Sequence, residues 1–156
     1  MPHIHEKIDF TAETFIVHKN KVLLRKHDKL KIWMSVGGHI ELDEDPVEAA
    51  LREVKEEVGL DVTLYQKNKL IEHNDGTLEI LLPEHILRNR INETHEHITL
   101  VYYAKSKTNQ LKLSLSEKTE ECKWFTTEEI DNPKFGIKQN IKSYAKEALK
   151  LFKEKE

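Results

Sequence analysis

Apolar positions along the chain recur with two periods, one suited to strands and one to helices. Thr11 to Val17 and Lys21 to Arg25 read as strands, with Val22, Leu23 and Leu24 forming a short buried run. His18–Lys19–Asn20 between them reads as a tight turn. Trp33 to Val36 leads into Gly37–Gly38, which reads as a loop where backbone takes positive φ or lets a ligand approach closely. Further strands are expected at Asp61 to Tyr65, Lys69 to His73, Thr77 to Leu82, His97 to Ala104 and Glu121 to Phe125. Thr126 or Thr127 starts a short helix. Ile141, Tyr144, Ala145, Ala148 and Phe152 recur at helical spacing near the C-terminus. Strands mixed with two main helices predict an α/β or α+β layered domain.

The central helix carries the strongest local signals. Asp45 suits the N-cap, Pro46 the first helical position, and Glu48 completes a D-x-x-E capping box. Gly59 is a natural stop, so the helix is expected over Pro46 to Val58. At about 100° per residue, Val47, Ala50, Leu51, Val54 and Val58 share an apolar stripe facing the core. Glu53, Glu56 and Glu57 share the neighbouring flank with Ala49, which leaves space there. Like charges at these spacings repel by about 0.2–0.5 kcal/mol per pair on an exposed helix. A divalent cation reverses that sign, and Mg²⁺ takes oxygen ligands of this kind. Arg52, one turn after Glu48 and one before Glu56, can hold an acid by a bidentate pair. A helix face kept charged for solubility would read similarly from this hexamer alone.

Composition narrows the class. With 156 residues, a single domain over 1–156 is expected, large enough for a proper core. The chain is 38% hydrophobic and 34% charged, which is not a disordered composition. The net charge of −3 gives no reason to expect bulk nucleic-acid binding. Charge is unevenly spread: Glu41 to Gly59 carries −6 and the remainder +3. That block suggests a cation site. A single cysteine, Cys122, fits a reducing compartment. MPHIHEKIDF lacks the apolar run of a secretory signal, and no stretch approaches the ~18 apolar residues that cross a bilayer. A cytoplasmic location without membrane association is expected.

The acidic helix belongs to a longer pattern: Gly38, five residues, Glu44, seven residues, then Arg52-Glu53-Val54-Lys55-Glu56-Glu57-Val58-Gly59-Leu60. This resembles the Nudix hydrolase signature, G-x5-E-x7-R-E-U-x-E-E-x-G-U with U apolar, and all nine specified positions match. From residue frequencies, the chance probability is on the order of 10⁻⁹ per starting position. TFIVHKNKVLLRK, Trp33 before the glycine pair and ECKWFTTEEI are similar to the family's usual flanks, extending the likeness from Thr11 to the C-terminal helix. Many members have Pro where this chain has Val36, and Gly where it has Asp43.

The resemblance implies a mixed β-sheet sandwiched between α-helices, the Nudix fold. It implies hydrolysis of a nucleoside diphosphate linked to a group X, with Mg²⁺ or Mn²⁺. By position, Glu53, Glu56 and Glu57 match the metal carboxylates and Gly37 a backbone carbonyl ligand. Arg52 and Glu44 match a supporting pair. Glu53 is the preferred general base, with Glu96 as runner-up or additional ligand.

Pro83 to His97 reads as a long loop, a place where function often sits. Arg88 and Arg90 are phosphate-clamp candidates, the alternative being a basic surface loop. Arg25 ends its strand either near phosphate or in a surface ion pair. His95-Glu96-His97 invites a zinc reading, but no Cys partner or HExxH helix accompanies it. His3 and His5 read as terminal surface residues. Trp33 and Trp124 read as core or cleft-wall aromatics. Marks of the ADP-ribose, dinucleoside polyphosphate, coenzyme A and NADH members are missing. A small-molecule nucleotide of nucleoside triphosphate type is therefore the expected substrate, with ADP-ribose or nucleotide sugars next. A non-catalytic nucleotide-sensing module is the reading from another class, although such modules are expected to lose box carboxylates that this chain keeps. The expected assembly is a monomer or homodimer.

Overall fold

The computed structural model describes residues 7–113 and 121–155. The readings placed on His3 and His5 lie outside them. The strands are β1 (Ile8–His18), β2 (Lys21–Lys26), β3 (Trp33–Met34), β4 (Val36–His39), β5 (Val62–Leu64), β6 (His85–Arg90), β7 (Glu96–Ser106) and β8 (Glu121–Phe125). The helices are α1 (Pro46–Val58), α2 (Thr127–Asp131) and α3 (Gln139–Leu151). No helix among the described residues is long and apolar enough to cross a membrane.

The sheet is mixed and organised by β1. Ile8 to Val17 of β1 pair in parallel with β7, from Ile8 opposite Glu96 to Val17 opposite Lys105. Its other edge divides between two partners. Thr11 to Thr14 pair with β4, and Ile16 to His18 pair with β2, both antiparallel. β7 divides likewise, between β6 and β5. Side chains alternate across this sheet, so each face takes one helix. Phe15, Val17, Val101 and Tyr103 meet α3 through Ile141, Ala145 and Ala148. Ala12 and Tyr102 meet Ala49 and Ala50 of α1, while Ile16 and Ala104 meet Val54 and Val58. The expected helix–sheet–helix sandwich is therefore present.

Local signals explain the parts that form as expected. Lys19 and Asn20 have φ of 44° and 60°, the two positive values that a two-residue hairpin turn needs. Asp45 Oδ1 accepts from Val47 N and Glu48 N, and Glu48 answers to Asp45 N at 2.8 Å. Gly59 caps α1 at φ 69°, and a Cβ there would lie 2.5 Å from Lys112 Cβ. Gly59→Ala is expected to cost at least about 1 kcal/mol in a denaturant melt, from the left-handed backbone alone.

Four expectations need correction. Lys69 to His73 and Thr77 to Leu82 are not strands. Thr77 N donates to Asp75 Oδ1 in the bend between them, but the two segments do not pair as strands. Leu81 packs against Ala12, Ala49, Ala50 and Tyr102, but the rest of the alternation faces outward: Leu78 is 84% exposed and Ile71 65%. Pro83 to His97 is not a loop. It contains β6 and the first residues of β7, joined by a tight connection in which Ile91 N and Asn92 N bond His95 O. β6 is an outer strand whose Arg88, Asn89 and Arg90 hide its strand character, and charge on an edge strand discourages further pairing. Gly37–Gly38 is not a loop but the middle of β4, paired with Glu13 and Ala12. Finally, the buried face of α1 is rotated from the expected stripe. Ala49 is fully buried and Glu57 is 7% exposed, while Leu51 is 39% exposed. Glu57 therefore points toward the sheet instead of along a flank.

Candidate active site

β4 passes beneath α1 and brings the glycine pair to the acidic helix. A Cβ on Gly38 would fall 2.3 Å from Glu53 Oε1, so the missing side chain is what lets that carboxylate lie against the strand. A Cβ on Gly37 would fall 2.4 Å from Ala12 O, so glycine there lets β4 and β1 approach. Neither glycine has positive φ. Close approach, not turn geometry, is the reason for both.

Arg52 is the hub of the acidic cluster. Its Nε and Nη2 donate to Glu44 at 2.9 and 2.6 Å, a bidentate pair. Its Nη1 donates to Glu53 Oε1 at 2.9 Å and Glu56 Oε2 at 3.2 Å, and Nη2 also reaches His39 O at 3.0 Å. The guanidinium thus ties the loop before α1, the helix and β4 together. It also holds the Glu44 carboxyl below the usual carboxylate range, helped by the Glu41 backbone amide. Depressed in the folded chain, Glu44 contributes stability that is present above its unfolded pKa and lost as pH falls through its folded one. Glu44→Gln should flatten the acid limb of a melting-temperature profile, and a limb as steep as wild type would remove Glu44 from the account. Arg52→Ala leaves several carboxylates without their cation and should cost about 2 kcal/mol in a denaturant melt.

The other candidates divide plainly. Arg25 Nε lies 2.8 Å from Glu57 Oε2, and both side chains are largely buried. Arg25 thereby adjoins the box as an internal ion pair. Glu96 hydrogen-bonds Arg88 and lies 3.7 Å from Lys7 Nζ, and Arg88 keeps its carboxyl low. It pairs with Ile8, four positions before Leu100 opposite Ala12, or about 13 Å along the strand from the Gly38 level. Arg90 Nε bonds Asn92 O at 3.3 Å at the connection to β7. Arg52, Glu44, Glu53 and Glu56 are thus brought together, with Arg25–Glu57 beside them, while Glu96, Arg88 and Arg90 stand apart.

Across β1 and β4 from α1 lies a cleft of about 530 Å³. Gly37 and Gly38 lie on its border, so cleft and box share that strand. Its apolar wall includes Ile32, Met34, Leu87 and Ile91, and its polar lining Thr11, Glu13, Asn89 and Thr99. Thr11 and Thr99 hydroxyls bond at 2.7 Å, and Asn89 Nδ2 donates to Thr99 at 3.1 Å. Trp33 is 3% exposed and packs edge-on against Phe125, so it supports the wall from within the core. Trp124 is elsewhere, donating to Asn109 O.

Glu13 was not among the sequence candidates. Burial pushes its carboxyl up even though Ser35 Oγ donates to it at 2.9 Å. A carboxyl raised in the folded chain binds protons there that the unfolded chain has released, so stability falls as pH rises through that window. Glu13→Gln should therefore raise the melting temperature at neutral pH and make no gain in acid. A variant equally or less stable at neutral pH contradicts this.

Comparison with known proteins agrees with this geometry. A NUDIX domain model matches residues 11–146. Among solved structures, a NUDIX-family hydrolase from Clostridium perfringens is 37% identical. The match covers 93% of this chain and 98% of that one, with a TM-score of 0.81. A MutT NUDIX hydrolase from Burkholderia pseudomallei is 18% identical over 94% and 99%, TM-score 0.62. An Ap4A hydrolase from C. elegans is 21% identical over 92% and 96%, TM-score 0.66. The last two share the fold. A search of curated proteins found no match. The chain belongs to the NUDIX family. It is a Nudix pyrophosphohydrolase, an enzyme class that acts on small-molecule nucleotides and generally uses divalent metals.

Proposed function

We propose that this enzyme cleaves the pyrophosphate linkage of a nucleoside triphosphate-type substrate, using Mg²⁺ or Mn²⁺. The shared strand carries this reading. With phosphates at the box side of Gly37–Gly38, the rest of the nucleotide falls in the cleft beyond. A volume of about 530 Å³ is within the range of sites for such ligands.

The residues suit the metal. Glu53, Glu56, Glu57 and the Gly37 carbonyl would supply an all-oxygen donor set, the kind that hard divalent cations take. Arg52 and Arg25 already place positive charge beside these carboxylates, reducing their mutual repulsion. When bound, the ion neutralises phosphate oxygens and lowers the pKa of bound water. Glu53 acts as general base, its carboxylate fixed by Arg52 on one side and the Gly38 backbone on the other. Glu44 acts through Arg52 as a positioning residue. Arg25 positions Glu57. The apolar wall excludes water from the base side of the substrate.

Turnover of a panel would test this. Ribo- and deoxyribonucleoside triphosphates, an oxidised guanine nucleotide, ADP-ribose, nucleotide sugars and a dinucleoside polyphosphate are offered with Mg²⁺, Mn²⁺ or chelator. Preference for a triphosphate, abolished by chelator and in Glu57→Gln, is the expected result. Preference for ADP-ribose or a nucleotide sugar would move the substrate while keeping the chemistry. Binding without turnover would favour a sensor.

A further inference from the structure

A second group of metal-type ligands lies on the sheet face opposite α1. The parallel register of β1 and β7 sets Asp9 beside His97. The β6–β7 connection ends at His95, whose Nε2 lies 2.9 Å from Asp9 Oδ2. The His95 and His97 rings are 5.2 Å apart and nearly perpendicular. One ligand atom from each of Asp9, His95 and His97 lies within 4.8 Å of the others. His39 on β4 stands next to them, with Nε2 3.6 Å from Asp9 Oδ2 and its ring 5.1 Å from that of His97.

We propose that Asp9, His95 and His97 form a second metal site, distinct from the Nudix box, for a borderline divalent cation of the zinc type. Asp9 is 4% exposed, and a carboxylate that buried requires a cationic partner. One imidazolium would be enough. Three imidazoles around a single carboxylate exceed what charge balance asks, whereas a metal uses them as neutral nitrogen ligands. The donor set also sorts the ion. Imidazole suits zinc and its neighbours, while Mg²⁺ and Ca²⁺ take oxygen. Bonds of about 2.0–2.1 Å place tetrahedral donors about 3.4 Å apart, so small side-chain rotations close the observed spread. His39 takes the outer role of orienting the Asp9 carboxylate. His39 and His97 also line the cleft, so a cation here adds fixed positive charge to the wall of the nucleotide site.

The test uses untagged full-length protein, stripped of metal and titrated with zinc in excess Mg²⁺, so that the box is already supplied. One zinc per chain is expected, with the Co²⁺-substituted protein showing the intense visible bands of a tetrahedral nitrogen-ligated site. His95→Gln and His97→Gln should each weaken zinc by more than about 100-fold, and His39→Gln by roughly 10–100-fold. Glu53→Gln/Glu57→Gln and His3→Gln/His5→Gln should bind zinc as wild type does. Thermal melts identify any variant that fails to fold, and the wild-type Co²⁺ spectrum stands independently of all of them. Zinc displaced by Mg²⁺, a Co²⁺ spectrum without nitrogen ligation, or zinc lost with the box or N-terminal variants instead of His95 and His97 would overturn the proposal. None of these readouts depends on turnover, so failure here leaves the hydrolase reading intact.

Discussion

Glu53→Gln is expected to lower kcat by about 10²–10⁴-fold, the usual contribution of a general base, with the melting temperature nearly unchanged. The two halves of that result have separate causes. Glutamine keeps an oxygen that can accept from Arg52 Nη1 and still fits the space that Gly38 leaves, so the packing survives. It cannot take a proton from water at neutral pH, so the chemistry does not. Steady-state phosphate release with saturating Mg²⁺, paired with a thermal melt, reads both. Retained turnover in a folded variant would move the base elsewhere, and Glu56, held by the same Arg52 guanidinium, would be the next position to test.

Alanine at the two glycines should produce opposite failures. Gly38→Ala puts a methyl 2.3 Å from Glu53 Oε1 and 2.6 Å from its Cδ. The obstacle is the end of a flexible side chain, so the carboxylate moves and the backbone stays. A displacement near 1 Å at a reacting group costs about 10²-fold in rate, and stability should barely change. Gly37→Ala puts its methyl 2.4 Å from Ala12 O and 2.8 Å from Glu13 Cα, both in β1. Backbone must move against backbone, and the β1–β4 pairing opens. The expected cost is about 3 kcal/mol, the upper end for overpacking, from a total stability of about 5–15 kcal/mol. Denaturant melts and kcat on both variants separate the effects. Equal loss of stability in the two would mean that Glu53 cannot move aside.

The parts of the fold legible in the sequence are those with local causes. Asp45, Pro46, Glu48 and Gly59 mark the ends of α1 because caps and stops act within one turn of the chain. The Arg52–Glu44 pair was legible because the box spacing carries it, and the structure brings the two together. β6 is not legible because its sequence, HILRNR, serves an outer edge and shows little apolar alternation. The stretch from Lys69 to Leu82 shows the converse: its apolar alternation reads as strand, yet Ile71, Leu78 and Leu82 are exposed. Glu57's inward direction was invisible because it depends on how α1 rolls on the sheet. The same holds for Asp9. His95 and His97 announced a half-site, and its carboxylate arrives from the other end of the chain through strand pairing.

The pairing of β1 with β7 also bears on the order in which the site is built. It joins residues 8–17 to residues 96–105, a closure of long loop length and therefore a slow kind of contact to form. The helix α1, with its caps, is local and needs no such closure. A chain still emerging from the ribosome can thus present the box helix before β7 exists. β2 and β4 both pair with β1, so until β7 holds its other edge the frame that brings Arg25 to Glu57 and Gly38 to Glu53 lacks a flank. The chain thus carries its signature in a local helix and the frame around it in contacts between distant strands.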